Sequence, residues 1–323
     1  MQKRISQYRD ALNERTAAIF RDRKPNSLYD PVRYVASSGG KQLRPVLFLA
    51  CCEAVGGDFR SLLDVAVALE CVHNFTLVHD DIMDEDDLRR GRQTVHKKWN
   101  ENTAILTGDA LLVKAFELLS SVDEKKMPYM IGEFSSGILE ICEGQVLDKD
   151  FEKREGVSVQ EYYDMIAKKT GRLFSLSCQL GAYLGDGSAE QIKALEQYGN
   201  RIGFAFQIQD DILDLISRDD VLGKKIGSDL RGGKKTFLVS YARDHLHAEA
   251  LQVFNDILAL KSPAQSDFAR FIQLCKKSGT FDAAEKEIQQ ALGAARRNLS
   301  LIKASVAKDI LVALLEQIET RTF

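Results

Sequence analysis

Apolar residues recur at three- and four-residue intervals from one end of the chain to the other. The pattern begins with Ile5, Tyr8 and Leu12 and closes with Val306, Ile310, Leu311, Leu314, Leu315 and Ile318. That spacing lines one face of an α-helix, and no stretch shows the two-residue alternation of a half-buried strand. Helices are predicted near 62–83, 104–120, 129–148, 160–184, 189–217, 235–257, 265–278 and 282–299. Pro45 opens a further helix that runs to Gly56-Gly57, proline being favoured at a helix start and glycine just past its end. Five prolines in 323 residues leave long helices uninterrupted, since proline in a helix interior costs about 3 kcal/mol. No linker is long or polar enough to divide them, so the expected architecture is all-α, a single domain over residues 1–323.

Two of these apolar segments end in nearly identical acidic pentapeptides, Asp80-Asp81-Ile82-Met83-Asp84 and Asp210-Asp211-Ile212-Leu213-Asp214. On a helix the first and fifth residues of each lie about 40° apart on one face. Each pentapeptide therefore aims two carboxylates at one point, where repulsion has to be relieved by a cation or a proton. Oxygen-only ligands favour Mg²⁺, which prefers a few carboxylates together with substrate phosphates. One such motif reads more readily as an acidic helix end in solvent; two, each closing a segment that should be buried, point to a multi-metal clamp for a diphosphate.

Basic residues cluster locally. Lys41 and Arg44 sit in Gly39-Gly40-Lys41-Gln42-Leu43-Arg44-Pro45, at a loop-to-helix junction of the kind that attracts anions, and Arg89-Arg90-Gly91 follows the first acidic motif. The stretch Ser217 to Lys235 breaks the helical pattern with Gly223, Gly227, Gly232 and Gly233 beside Lys224, Lys225, Lys234 and Lys235. It reads either as a lid closing over phosphate or as an ordinary solvated loop. Net charge is −3 and the pI about 6.0, so no basic stripe suits nucleic acid. The six cysteines, Cys51, Cys52, Cys71, Cys142, Cys178 and Cys275, show no CxxC spacing and read as reduced thiols in a reducing, cytoplasmic setting, with Cys71 and Cys142 in the core. Met1 to Asp10 lacks the apolar region of a secretory signal. Leu62 to Val78 contains Asp64, Glu70, His73 and Asn74 and reads as a central buried helix, too short and polar for a membrane span.

The segments GGKQLRP, ALECVHNFTLVHDDIMDEDDLRRG, GDALL, EGQ, KKTGRLF and GFAFQIQDDILD stand in this order, and through them the chain resembles the trans-isoprenyl diphosphate synthases over nearly its whole length, most of all geranylgeranyl diphosphate synthases. Terpene cyclases share a first DDxxD, but their second metal motif mixes Asn, Ser or Thr and Glu. The resemblance implies the isoprenoid synthase fold, a bundle of long helices around a central cavity, usually a homodimer. It implies three Mg²⁺, two on Asp80 and Asp84 and one on Asp210, with Asp81 and Asp214 supporting them. It assigns Lys41, Arg44, His73 and Arg90 to isopentenyl diphosphate, and Arg89, Lys169, Lys234 and one of Lys224 or Lys225 to the allylic diphosphate. The carbonyls of Lys169 and Thr170 and the side chain of Gln207 would face an allylic carbocation. Phe75, five residues before Asp80 and so roughly 7.5 Å deeper along the helix, with the small Thr76 beside it, matches the pattern for a C20 product and would close the tunnel floor. The competing readings are a farnesyl or longer-chain synthase, a terpene cyclase or head-to-head synthase, and a non-catalytic regulatory subunit.

Overall fold

Helix follows helix, as the three-and-four spacing requires. The computed structural model describes residues 2–216, 227–260 and 263–320. Its helices are α1 Gln2–Phe20, α2 Asn26–Ala36, α3 Leu43–Ala54, α4 Leu63–Met83, α5 Val95–Lys98, α6 Glu101–Leu119, α7 Met127–Glu152, α8 Val159–Ile166, α9 Arg172–Leu184, α10 Ala189–Ile216, α11 Ser228–Arg231, α12 Phe237–His245, α13 Ala248–Leu258, α14 Gln265–Lys277, α15 Thr280–Asn298 and α16 Val306–Glu319. Their starts are capped where the sequence supplies an acceptor. Asn100 accepts from the Thr103 N–H ahead of α6, and Ser158 and Glu161 form a reciprocal capping box at α8.

Three departures from the sequence pattern are informative. The expected helix 235–257 is two helices: Leu246 is buried with extended backbone (φ −92°, ψ 146°), and Ala248 takes a φ of 49°. Neither glycine nor proline marks that break; it follows from turning Leu246 inward. The expected helix 160–184 is interrupted by a π-helical turn, Ala167–Gly171. A small antiparallel hairpin, β1 Leu88–Arg89 and β2 Arg92–Gln93, follows α4, too short for any alternation to announce it. Its two-residue turn is Arg90-Gly91, with φ of 53° and 72°, the left-handed pair that a tight hairpin needs.

Among the described residues the chain groups into two compact units. The first comprises Met1–Ile138, Leu173–Gly199 and Asn298–Leu314, the second Leu139–Arg172, Asn200–Arg297 and Leu315–Phe323. The first is built around α4, whose residues Val65 to Leu69 are all buried, as befits a helix apolar on every side. Each buried Val or Leu there contributes about 1.5–3 kcal/mol. The apolar helix is longer than the sequence suggested: Phe59–Met83 meets the length and composition of a membrane span, yet 56% of its most apolar window is buried inside the protein, as in a core helix. In the second unit an aromatic cluster of Tyr163, Phe204, Phe237 and Tyr241 packs α8, α10 and α12 together.

None of the six cysteines is in a disulfide. Five are buried, Cys71 among them, but Cys142 is exposed, on one face of α7 with Leu139 and Val146. The helical pattern alone could not separate a covered apolar face from an open one.

Gly144 of the EGQ segment shows why a glycine stands there: a Cβ at this position would collide with the Lys169 backbone, so α7 and the π-turn touch main chain to main chain. Gly132, earlier in α7, has open space around it. Gly144→Ala is expected to destabilise the protein by about 1–3 kcal/mol. Gly132→Ala is expected to stabilise it by about 0.5–1 kcal/mol through helix propensity. Denaturant melts of the two variants check this; equal shifts would contradict the close approach.

Candidate active site

The first acidic motif occupies the last turn of α4. Asp84 caps that helix, its N–H bonding to the Asp80 carbonyl, and Glu85 turns the chain with a φ of 54°. Asp80 and Asp84 are half-buried, whereas Asp81 is only 4% exposed. The 100° step between neighbours on a helix produces this division. Asp81 accepts a hydrogen bond from Arg89 Nε at 2.5 Å, and Arg89 also reaches Asp86 at 3.3 Å. Carboxylates at a helix C-terminus face the negative end of its dipole, so Asp80 and Asp84 stand where a cation is most favoured.

The basic cluster of the first unit forms around α3 and α4. Lys41 is exposed, and its carbonyl accepts from Arg9 at 3.0 Å. Arg44, in the first turn of α3, lies 4.5 Å over the Phe174 ring and donates to His73 Nε2 at 3.2 Å. Burial, then the charges of Arg44, Arg90 and Arg89, hold the His73 imidazole well below its ordinary pKa, so it is neutral and free to accept. Glu70, one turn earlier on α4, is pushed above the usual carboxylate range by burial, with Arg44 and Arg90 opposing. Arg90 is placed by the hairpin turn and donates to the Gly39 carbonyl and to Ser38 Oγ. A Cβ on Gly40 would lie 2.7 Å from Arg90 Nη1, and Gly40 has a φ of 126°. Glycine is thus required twice over at that position. Phe75 is 9% exposed and meets His79 edge-on at 4.9 Å, while Thr76 Oγ1 donates to the His73 carbonyl at 2.8 Å.

In the second unit Lys169, Thr170, Gln207, Asp211, Asp229 and Lys234 line one cavity. Lys169 pairs with Asp148 at 2.5 Å, and Lys234 lies 3.7 Å from Asp229. Thr170 Oγ1 donates to Gln207 Oε1 at 2.7 Å, and Gln207 Nε2 donates to Asp211 Oδ1 at 2.9 Å. The other oxygen of Asp211 accepts from the Tyr162 hydroxyl at 2.7 Å and from the Phe237 N–H at 3.0 Å. Burial and the neighbouring Asp229 nevertheless push the Asp211 carboxyl up to about 7, so desolvation outweighs the three donors. Asp210 and Asp214 are half-buried. Asp214 accepts from Ser228 Oγ at 2.7 Å and from the Asp229 N–H at 3.1 Å, and so orders the start of α11. Part of the expected lid is therefore a helical turn tied to the second acidic motif. Lys224 and Lys225 lie outside the described residues.

A family model described as polyprenyl synthetase matches residues 25–275. The chain belongs to the polyprenyl synthetase family. It is 50% identical over 218 residues to a geranylgeranyl diphosphate synthase of Methanosarcina mazei, covering 67% of each chain. It is 38% identical to a geranylgeranyl pyrophosphate synthase of Geoglobus acetivorans over 96% of both chains. A crystal structure of the geranylgeranyl pyrophosphate synthetase of Pyrococcus horikoshii superimposes with a TM-score of 0.94 at 38% identity, covering 99% of this chain and 98% of that one.

Polyprenyl synthetases are Mg²⁺-dependent prenyltransferases. The donor set here fits that ion. Among the described residues no three His, Cys, Asp or Glu side chains gather closely enough to hold a metal unaided, and Mg²⁺ characteristically takes one or two carboxylates and completes its shell with water and phosphate oxygens. Asp211, Tyr162 and Gly144 carry much of the local order of this polyprenyl synthetase and had no assigned role from the sequence. Tyr162 shares an apolar helix face with Met165 and Ile166, and a tyrosine on a core face needs a partner for its hydroxyl, which was the available signal.

The neutral His73 yields a test. Its ring NMR signals are expected to stay in the neutral form from pH 8 down through 6.5, where an exposed histidine is half protonated. The unfolded chain takes up that proton and the folded one does not. Stability should therefore fall as pH drops below about 6.5, and less so in His73→Gln. A His73 signal titrating near 6.5 would refute the assignment.

Proposed function

We propose that this polyprenyl synthetase condenses isopentenyl diphosphate with an allylic diphosphate and releases geranylgeranyl diphosphate, C20. The observation that carries this reading is the presence of two complete aspartate motifs together with the Arg44–His73–Arg90 cluster in a chain 50% identical, over 67% of its length, to a named geranylgeranyl diphosphate synthase. A cyclase or head-to-head synthase has no use for that cluster, and a regulatory subunit would be expected to lose its aspartates.

Asp80, Asp84 and Asp210 are the proposed holders of three Mg²⁺, with Asp214 as a further ligand and Asp81 in support. Bound Mg²⁺ would neutralise charge gathering on the departing diphosphate. Lys41, Arg44, neutral His73 and Arg90 bind isopentenyl diphosphate; guanidiniums already seated, Arg44 on the Phe174 ring and Arg90 on the Gly39 carbonyl, lose little freedom when they do so. Arg89, Lys169 and Lys234, with Lys224 or Lys225, neutralise the allylic diphosphate. The allylic C–O bond breaks with its electron pair leaving on the diphosphate, the double bond of isopentenyl diphosphate supplies the pair for the new C–C bond, and a proton is lost. The π-turn carbonyls of Lys169 and Thr170 and the amide oxygen of Gln207 offer dipoles to the cation with no nucleophile to trap it.

We further propose one catalytic domain, supported by a single family model spanning residues 25–275 and by α7 and α10, each of which contributes residues to both units. The exposed apolar residues Leu106 and Val113 on α6, and Leu139 and Val146 on α7, are surfaces a second copy would cover in a homodimer. Six cysteines with no disulfide among them support a reducing, cytoplasmic setting.

Incubation with isopentenyl diphosphate and an allylic primer should give prenyl diphosphate only when Mg²⁺ is present. Asp80→Ala or Asp210→Ala should lower turnover by at least about a hundredfold while helical circular dichroism barely changes; a loss of only a few-fold would remove the proposed metal ligands. Phe75→Ala should lengthen the product beyond C20. An unchanged product ladder by chromatography would move the tunnel floor to another residue, such as Ile138 or Ile141.

A further inference from the structure

The hydrogen bonds around Gln207 form a directed chain. Gln207 presents its Nε2 to Asp211 Oδ1, which leaves its Oε1 to accept from the Thr170 hydroxyl in the cavity that all three residues line. The orientation of Asp211 is itself set by the Phe237 backbone N–H, which can only donate, and by Tyr162. From this geometry we propose that Asp211, 4% exposed, is a positioning residue: it fixes which way the Gln207 amide points, so that an oxygen and not an N–H faces the allylic cation.

This rests on the prenyltransferase reading of Gln207. An amide has a large dipole, and its two ends are nearly the same size. Packing alone does not distinguish them; only a neighbour of fixed hydrogen-bond character does. Reversal would put a partial positive charge beside the developing cation without changing the shape of the pocket.

The substitution Asp211→Asn tests this through its own geometry. The Phe237 N–H requires an acceptor on its side, so the new carboxamide places its oxygen there and its NH₂ toward Gln207. Gln207 must then turn its Oε1 to that NH₂ and its NH₂ to the cavity. The expected result is a fall in kcat of about a hundredfold, the usual effect of losing one preorganised electrostatic group. KM for both substrates and the Mg²⁺ concentration for half-activation should stay within about twofold, an expectation that follows because only transition-state charge is affected. Tyr162→Phe keeps the carboxylate and should lose only a few-fold.

A binding measurement separates this from other causes of lost activity. Calorimetry with diphosphate and Mg²⁺ compares an ammonium analogue of the allylic cation with its uncharged isostere. Wild type should favour the ammonium form, Asp211→Asn should lose that preference, and Gln207→Glu/Asp211→Asn should regain it, because a carboxylate accepts from the new NH₂ and again turns an oxygen to the cavity. The double variant also decides the matter if the single one fails to fold. Retained preference in Asp211→Asn, no recovery in the double variant, or a raised Mg²⁺ requirement would overturn the proposal. No preference in wild type would instead overturn the carbocation role of Gln207.

Discussion

In each acidic motif the second aspartate is buried, and the surrounding structure is arranged to keep it hydrogen-bonded. A carboxylate removed from water without partners is costly by several kcal/mol. Asp81 meets this demand with Arg89 from the hairpin, and Asp211 meets it with Tyr162, Gln207 and the Phe237 N–H. The first and fifth aspartates are left half-buried at the helix surface. Helix geometry thus divides each pentapeptide into an inward residue that orders the site and outward residues suited to a metal and a diphosphate.

The motif glycines belong to the same arrangement, because side chains of fixed direction need backbone at close range. Gly40 leaves room for the Arg90 guanidinium against the Gly39 carbonyl. Gly144 lets α7 meet the π-turn at Lys169. Gly108 admits the His79 ring, whose Nε2 lies 3.2 Å from the Ile105 carbonyl. In each case the glycine sits opposite a polar residue, so conformational freedom in the unfolded chain is exchanged for precise placement in the folded one.

Charge is prepared before any substrate arrives. Arg44 is held by an aromatic ring and a neutral imidazole, and Arg90 by the Gly39 carbonyl and Ser38 Oγ, while burial and the nearby arginines act in opposite directions on the half-buried Glu70. Such a cluster is poised for a polyanion. Lys169 and Arg89, by contrast, already contact carboxylates.

The sequence by itself determined the helical character of the chain, most helix positions, the two carboxylate pairs and the basic clusters. These depend on spacing within a few residues, where helix periodicity and like-charge repulsion act locally. It also carried the family resemblance, since the motifs are continuous segments. Only the tertiary structure decided which of two adjacent aspartates turns inward, why Leu246 breaks a helix without glycine or proline, and why Cys142 is exposed on a helix of apolar period. Two partners of Asp211 come from positions 162 and 237, and that of Arg90 from position 39. Contacts between residues so far apart in the chain leave no periodic trace in it, because they are set by which helices pack together and how closely.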